Sequence, residues 1–189
     1  MKSVLLLSLI AMAAALSPPL RAAMPPKVGD RAPAFSLNTL EGKLIELQQL
    51  LKHQPVLLVV LRGWPGYQCP LCTKQVREFT AKVADFTAQG AKVLMVYPGP
   101  ASALQAHAKE FLQEKDWPKE FLFVIDPDYA FTNLYGLRWD AKNETAFPST
   151  FVIGRSGTIQ FAHISRRHGG RVTAETALEA LRALTTNIH

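Results

Sequence analysis

Six consecutive apolar residues, Val56-Leu57-Leu58-Val59-Val60-Leu61, run directly into Arg62-Gly63-Trp64-Pro65-Gly66-Tyr67-Gln68-Cys69-Pro70-Leu71-Cys72. An unbroken apolar run this short and this rich in valine suits a strand buried on both faces, which requires cover above and below the sheet. Downstream, Val76, Phe79, Val83 and Phe86 recur at helical spacing, so Thr73 to Ala88 reads as one amphipathic helix. Both cysteines of the chain therefore fall where a buried strand hands over to a helix.

That placement has chemical consequences. Pro70 suits a first helical turn, where a missing backbone N–H is no loss. The unpaired N–H groups and the positive end of the helix dipole favour an anion there, so Cys69 or Cys72 should ionise more readily than free cysteine. The Cys-Pro-Leu-Cys spacing also lets the two sulfurs meet as a disulfide, but closes so short a loop that it would restrain the unfolded chain little. A reversible redox pair fits better than a static staple or an idle buried pair. Half of a zinc site lacks its other half, because no second Cys/His pair at ligand spacing follows. Trp64 and Tyr67 flank the motif, where they would shield the sulfurs and contact a partner, or simply pack at the strand end.

The 189 residues suffice for one domain with a buried core, preceded by a leader. Met1 to Ala23 has the form of a cleavable export signal: Lys2, then an apolar stretch from Val4 to Leu16 too short to span a membrane, then Ala22-Ala23. The expected location is a periplasm or the cell exterior, with no stable membrane span after cleavage; retention as a short anchor is the alternative. The net charge of +6 comes without a basic stripe interleaved with aromatics, so nucleic acid is not an expected partner. Arg155, Arg166, Arg167, His168 and Arg171 cluster late in the chain; they read first as a solvated face, and second as an anion-attracting rim near the active site. His163 reads as a surface or satisfied histidine.

Around the motif the chain reads as strands alternating with helices. Ala34 to Leu37 suggests a short edge strand, Leu44 to Lys52 a strand and helical turn, and Ala91 to Tyr97 a buried strand closed by Pro98-Gly99-Pro100. A helix over Ala101 to Lys115, a strand over Phe121 to Ile125 and a helix capped by Asp128 follow. Ser149 to Ile153 and Thr158 to Ala162 flank Gly154-Arg155-Ser156-Gly157 as a hairpin, and Thr173 caps a final helix. The expected fold is α/β: one domain over residues 27–189, a central mixed β-sheet with helices on both faces.

The motif in this setting resembles the redox site of thioredoxin-like proteins. Further stretches resemble the peroxiredoxin-like redoxins of the alkyl hydroperoxide reductase/thiol-specific antioxidant (AhpC/TSA) family. These are Val28-Gly29-Asp30-Arg31-Ala32-Pro33-Ala34-Phe35-Ser36-Leu37, the turn Glu41-Gly42-Lys43, and Phe147-Pro148-Ser149-Thr150-Phe151-Val152-Ile153 with Gly157 after it. The resemblance implies a thioredoxin-like fold and an antioxidant thiol oxidoreductase without metal or organic cofactor. Its substrate would be a hydroperoxide or a protein disulfide, and its electrons would come from a partner thiol.

Two registers remain open within this resemblance. Pro65 to Cys72 is similar to the family's Pro-x-x-x-Thr-x-x-Cys, with Cys69 in the threonine position, which implies Cys72 as the attacking thiolate. The thioredoxin register instead implies attack by Cys69 and resolution by Cys72. The family's arginine three residues before Phe-x-Ile is replaced by Pro148, which the resemblance to thioredoxins implies to be a cis proline leaving backbone open for a substrate chain. Arg62 is then the candidate substitute cation. A rival reading is Cu(I) delivery through Cys69 and Cys72, since copper chaperones on this fold carry a similar turn; their cysteines stand one residue further apart and a later histidine completes the site.

Overall fold

The computed structural model describes residues 24–113 and 117–186, so the expected leader, residues 1–23, lies outside the described residues. A seven-stranded sheet forms the centre, in the order β2-β1-β5-β4-β3-β6-β7. Its strands are β1 (Ser36–Asn38), β2 (Leu44–Glu46), β3 (Val56–Val60), β4 (Lys92–Gly99), β5 (Leu122–Pro127), β6 (Ser149–Ile153) and β7 (Ile159–Ile164). The apolar run becomes β3, parallel to β4 and antiparallel to β6, with every residue buried. The expected edge strand is displaced inward: β1 pairs with both β2 and β5, and β2 takes the edge.

Alternation along β3 and β4 divides the core. Leu57, Val59, Leu61, Val93, Met95 and Tyr97 face one side, where α2 (Pro70–Thr80), α3 (Val83–Ala88), α4 (Ala101–Gln113) and α6 (Ala174–Thr186) supply Val76, Phe79, Phe86, Phe111 and Leu178. Val56, Leu58, Val60, Leu94 and Val96 face the other, against Leu47 and Leu51 of α1 (Leu47–His53) and Phe131 of α5 (Ala130–Leu134). This is the expected mixed sheet with helices on both faces. No helix among the described residues is long and apolar enough to cross a membrane.

Three local expectations change. The single helix over Thr73 to Ala88 starts earlier, at Pro70, and breaks at Ala81-Lys82 into α2 and α3. Thr80 Oγ1 donates to the Arg77 carbonyl at 3.2 Å, a local bond that bends a helix end, and the break lets Phe79 and Phe86 stack with ring centroids 5.2 Å apart. Asp128 does not cap α5: its carboxylate accepts from Ala101 N at the start of α4, while buried Asp126 accepts from Phe131 N and Thr132 N.

Pro148 is the third correction. The described residues contain no cis peptide bond, so Phe147–Pro148 is trans. Phe147 N donates to Leu137 O, and Pro148 O accepts from Ser165 N at 2.9 Å, so the chain enters β6 already extended and paired. In that setting the ordinary trans isomer carries no penalty.

Candidate active site

The site lies at the carboxyl end of β3, where Leu61 N still bonds to Val96 O and the next residues leave the sheet. Gly63 makes this exit possible: its φ is +72°, and a Cβ there would overlap the Pro98 carbonyl oxygen. Trp64 N donates to that same carbonyl at 3.0 Å, pinning the loop to the end of β4. Trp64 then stacks on His107 of α4 with centroids 3.5 Å apart. Gln68 Nε2 donates to the His107 carbonyl at 2.8 Å, and Tyr97 donates its hydroxyl hydrogen to Gln68 Oε1 at 2.9 Å. The loop carrying the cysteines is thus fastened to two other elements before α2 begins.

Cys69 occupies the N-cap of α2 in an extended conformation, with Pro70 opening the helix. Both cysteines are free thiols and both are buried, Cys69 at 3% exposure and Cys72 at 0%. Cys72 Sγ accepts the backbone N–H of Arg62 at 3.3 Å. The two sulfurs are unequal. Hydrogen bonding from the Cys72 thiol, against a burial penalty and aided by the Cys72 backbone N–H, Arg171 and Arg62, draws Cys69 down to about 5. Burial, followed by the neighbouring Cys69, pushes Cys72 well above the usual thiol range. The two directions favour the anion on Cys69 over Cys72, at the helix end that stabilises negative charge.

Two arginines, Arg62 and Arg171, stand beside this pair. Arg62 is 2% exposed, and its guanidinium is engaged: Nε donates to Glu144 Oε2 at 2.7 Å, Nη1 to the Tyr67 hydroxyl at 2.6 Å and Nη2 to Asn143 O at 2.7 Å. Burial disfavours its charge, but Glu144 and Tyr67 outweigh that and hold it above the usual arginine range. Glu144 also meets His168 Nε2 at 2.7 Å, and against burial the hydrogen bonds and charges of Arg62 and His168 keep its carboxyl below the usual range. The Arg62–Glu144 pair is therefore a brace joining the end of β3 to the 138–146 loop and, through His168, to the loop before α6. Thr145 Oγ1 donates to the Arg62 carbonyl and tightens the same join.

Arg171 comes from the loop between β7 and α6. Its Nη2 donates to Cys69 Sγ at 3.6 Å, its Nη1 to Gln75 Oε1 at 3.3 Å and its Nε to the His168 carbonyl at 3.2 Å. Buried Gln75 completes the tie by donating from Nε2 to Val172 O at 3.1 Å. Beside this contact lies a groove of about 260 Å³ between α2 and the loop, with Leu71, Lys74, Gln75, Gly170 and Arg171 among its walls.

Among the expected site residues, Cys69, Cys72, Arg62 and Tyr67 are brought together; Tyr67 is 45% exposed and its ring lies under the Arg62 guanidinium. Trp64 packs against α4 through His107, and Pro65 follows it in the loop leading to the cysteines. Pro148 is buried behind the site as the first step into β6. The late basic cluster divides. Arg155 bonds to Lys52 O and Arg166 lies over the Phe147 ring, whereas His168 meets Glu144 and Arg171 meets Cys69 Sγ. Gln75 and Glu144 carried no sequence signal, because neither stands in a motif. His163 Nε2 meets the Gly170 carbonyl at 2.6 Å, a satisfied histidine. Among the described residues no three His, Cys, Asp or Glu side chains gather as a metal site, so the copper reading lacks its third ligand.

Two free cysteines in Cys-x-x-Cys spacing at the strand-to-helix turn of a mixed sheet are the layout of a thioredoxin-fold thiol oxidoreductase. The AhpC/TSA family model matches residues 28–162, and the chain belongs to that family. It is 29% identical over 160 residues to "Putative peroxiredoxin bcp" of Helicobacter pylori (strain ATCC 700392 / 26695), covering 82% of this chain and 97% of that one. Two solved structures share the fold. Peroxidoxin BcpB from Mycobacterium tuberculosis superposes with a TM-score of 0.64 at 23% identity, over 84% of this chain and 97% of its own. Reduced Prx3 from Vibrio vulnificus in complex with hydrogen peroxide gives 0.65 at 21%, over 82% and 97%.

Proposed function

We propose that this chain is an exported thiol peroxidase in which Cys69 attacks a hydroperoxide and Cys72 resolves the product. The observation that carries the reading is the inequality of the two sulfurs: Cys69 is held as the anion at the start of α2, and Cys72 is an enclosed thiol beside it. The Cys69 thiolate attacks the terminal peroxide oxygen. An S–O bond forms, the O–O bond breaks, and the alkoxide or hydroxide leaves with the electron pair and takes a proton from water. The sulfur, oxidised by two electrons, is then a sulfenic acid. Cys72 attacks that sulfur, an S–S bond replaces the S–O bond, and hydroxide leaves to combine with the Cys72 proton as water. A partner dithiol returns the two electrons by exchange.

Peroxide is favoured over protein disulfides because the backbone at Pro148 is already engaged: its carbonyl accepts from Ser165 N, and the next residue pairs with Ile164. Little edge remains there to dock an extended substrate chain. The relatives named as peroxiredoxins, and the neighbour holding hydrogen peroxide, point the same way. Export rests on the form of residues 1–23.

The deciding experiment is stopped-flow mixing of the reduced protein with hydrogen peroxide and with cumene hydroperoxide. Oxidation at least ~100-fold faster than free cysteine is expected, from electrostatic stabilisation of the transition state. A rate no greater than that of free thiol removes the peroxidase reading, and fast reduction of a protein disulfide in the same preparation would put exchange in its place.

A further inference from the structure

We propose that Arg171, delivered by the loop between β7 and α6, is the catalytic cation that donates to the leaving oxygen while Cys69 attacks. The inference rests on the reading of Cys69 as the attacking sulfur and adds a residue from an element that no motif marks.

The choice lies between two arginines. The charge of Arg62 is compensated by Glu144 at 2.7 Å, and its Nε, Nη1 and Nη2 each donate to another partner, so although its side chain also helps to hold Cys69 down, it has less left to offer a ligand. Arg171 has no carboxylate partner among the described residues: it donates to a carbonyl, to the amide oxygen of Gln75 and to Cys69 Sγ. Of the five N–H donors of a guanidinium, those three contacts leave two free to reach a second acceptor beside the sulfur. Arg171 is half-buried and forms a wall of the groove beside α2, so a ligand entering there meets the guanidinium whose Nη2 reaches inward to Cys69 Sγ at 3.6 Å.

The charge movement of the reaction suits this geometry. Negative charge starts on Cys69 sulfur and ends on the departing oxygen, and a fixed fork beside the sulfur can donate to both ends of that path. A single lysine-like point charge cannot do so with the same two-point geometry. Gln75 sets the position: buried on α2, it holds Arg171 through Oε1 and the following residue, Val172, through Nε2, so the loop is tied to the helix that carries Cys72. Position 148, where the family resemblance would put an arginine, holds a buried proline and provides no donor.

The test compares the wild type with Arg171→Met and Arg171→Lys. Each is folded as judged by circular dichroism and cooperative urea melting, and each is assayed at about pH 9, where Cys69 is ionised in all three. Two rates are read on each protein: alkylation by iodoacetamide, with the label mapped by mass spectrometry, and oxidation by hydrogen peroxide in stopped flow. Arg171→Met is expected to lose about 100-fold in peroxide rate while alkylation of Cys69 changes less than about threefold, because only the peroxide has a leaving oxygen to stabilise. Arg171→Lys should recover about tenfold of that loss, since it restores the charge without the fork. Peroxide rates within threefold of wild type in Arg171→Met, or a loss that alkylation follows in step, would overturn the assignment while leaving Cys69 as nucleophile. Labelling of Cys72 ahead of Cys69 in the wild type would instead overturn the reading beneath it, and this proposal with it.

Discussion

Arg62 Nε and Glu144 Oε2 stand 2.7 Å apart across 82 residues of sequence, with the arginine 2% exposed. A buried pair of this kind costs most when only one partner is removed, because the other charge then stays desolvated and alone. Glu144→Ala is accordingly expected to destabilise the protein by about 3 kcal/mol in urea unfolding. Adding Arg62→Met to it should recover part of that loss, and two independent, additive penalties would contradict the brace.

The two cysteines should separate by role. Cys69→Ser abolishes reaction with hydrogen peroxide. Cys72→Ser keeps the first turnover within about tenfold of wild type but leaves a sulfenic acid on Cys69, captured by dimedone and seen as a mass increase on that peptide. The opposite pattern, with Cys69→Ser still reacting and Cys72 carrying the adduct, would restore the peroxiredoxin register.

Ionisation of Cys69 should govern the pH profile. Peroxide and iodoacetamide rates are expected to rise with a midpoint of about 5 and then to stay flat through neutrality. The same groups link pH to stability. Cys69 is drawn down to about 5 from an unfolded value of 9.0, so its contribution is complete above pH 9.0 and is lost as pH falls toward 5. Cys72 is pushed above 9.0, so its contribution holds below that pH and is lost above it. Reduced protein should therefore gain stability from pH 5 to 9, by at most about 1.4 kcal/mol per pH unit, and lose it beyond. Urea midpoints that are flat from pH 5 to 9 would contradict an ionised Cys69.

Gly63→Ala is expected to be severe. The new methyl would sit at a φ of +72° and overlap the Pro98 carbonyl, which also accepts the Trp64 N–H. A loss of about 2 kcal/mol or more is expected in thermal or urea unfolding, with peroxide rate falling as the loop shifts. A variant as stable and as active as wild type would show that the loop does not need this approach to β4.

The redox motif, the central strand and the hairpin before the last helix were legible because each is set by short-range rules. An apolar run specifies burial, Cys-Pro-Leu-Cys after it specifies a helix start, and Gly154 to Gly157 between two apolar stretches specifies a turn. The break between α2 and α3 was not, because it depends on a stack between Phe79 and Phe86 and on a threonine bonding back along its own helix. The capping role of Asp128 was misplaced for a similar reason: β5 brings it to the start of α4, far from the helix that follows it in sequence.

The sequence by itself determined that two sulfurs would meet at the mouth of a helix behind a buried strand, since adjacent residues alone control that geometry. Only the tertiary structure decided which sulfur its surroundings favour as the anion, that Pro148 is trans and paired, and that Arg171, which has no carboxylate partner among the described residues, donates to Cys69. Those outcomes depend on desolvation and on contacts across as many as 102 residues. Chain neighbours carry no record of them, because a charge takes its partner from whatever the folded backbone places within a few ångströms.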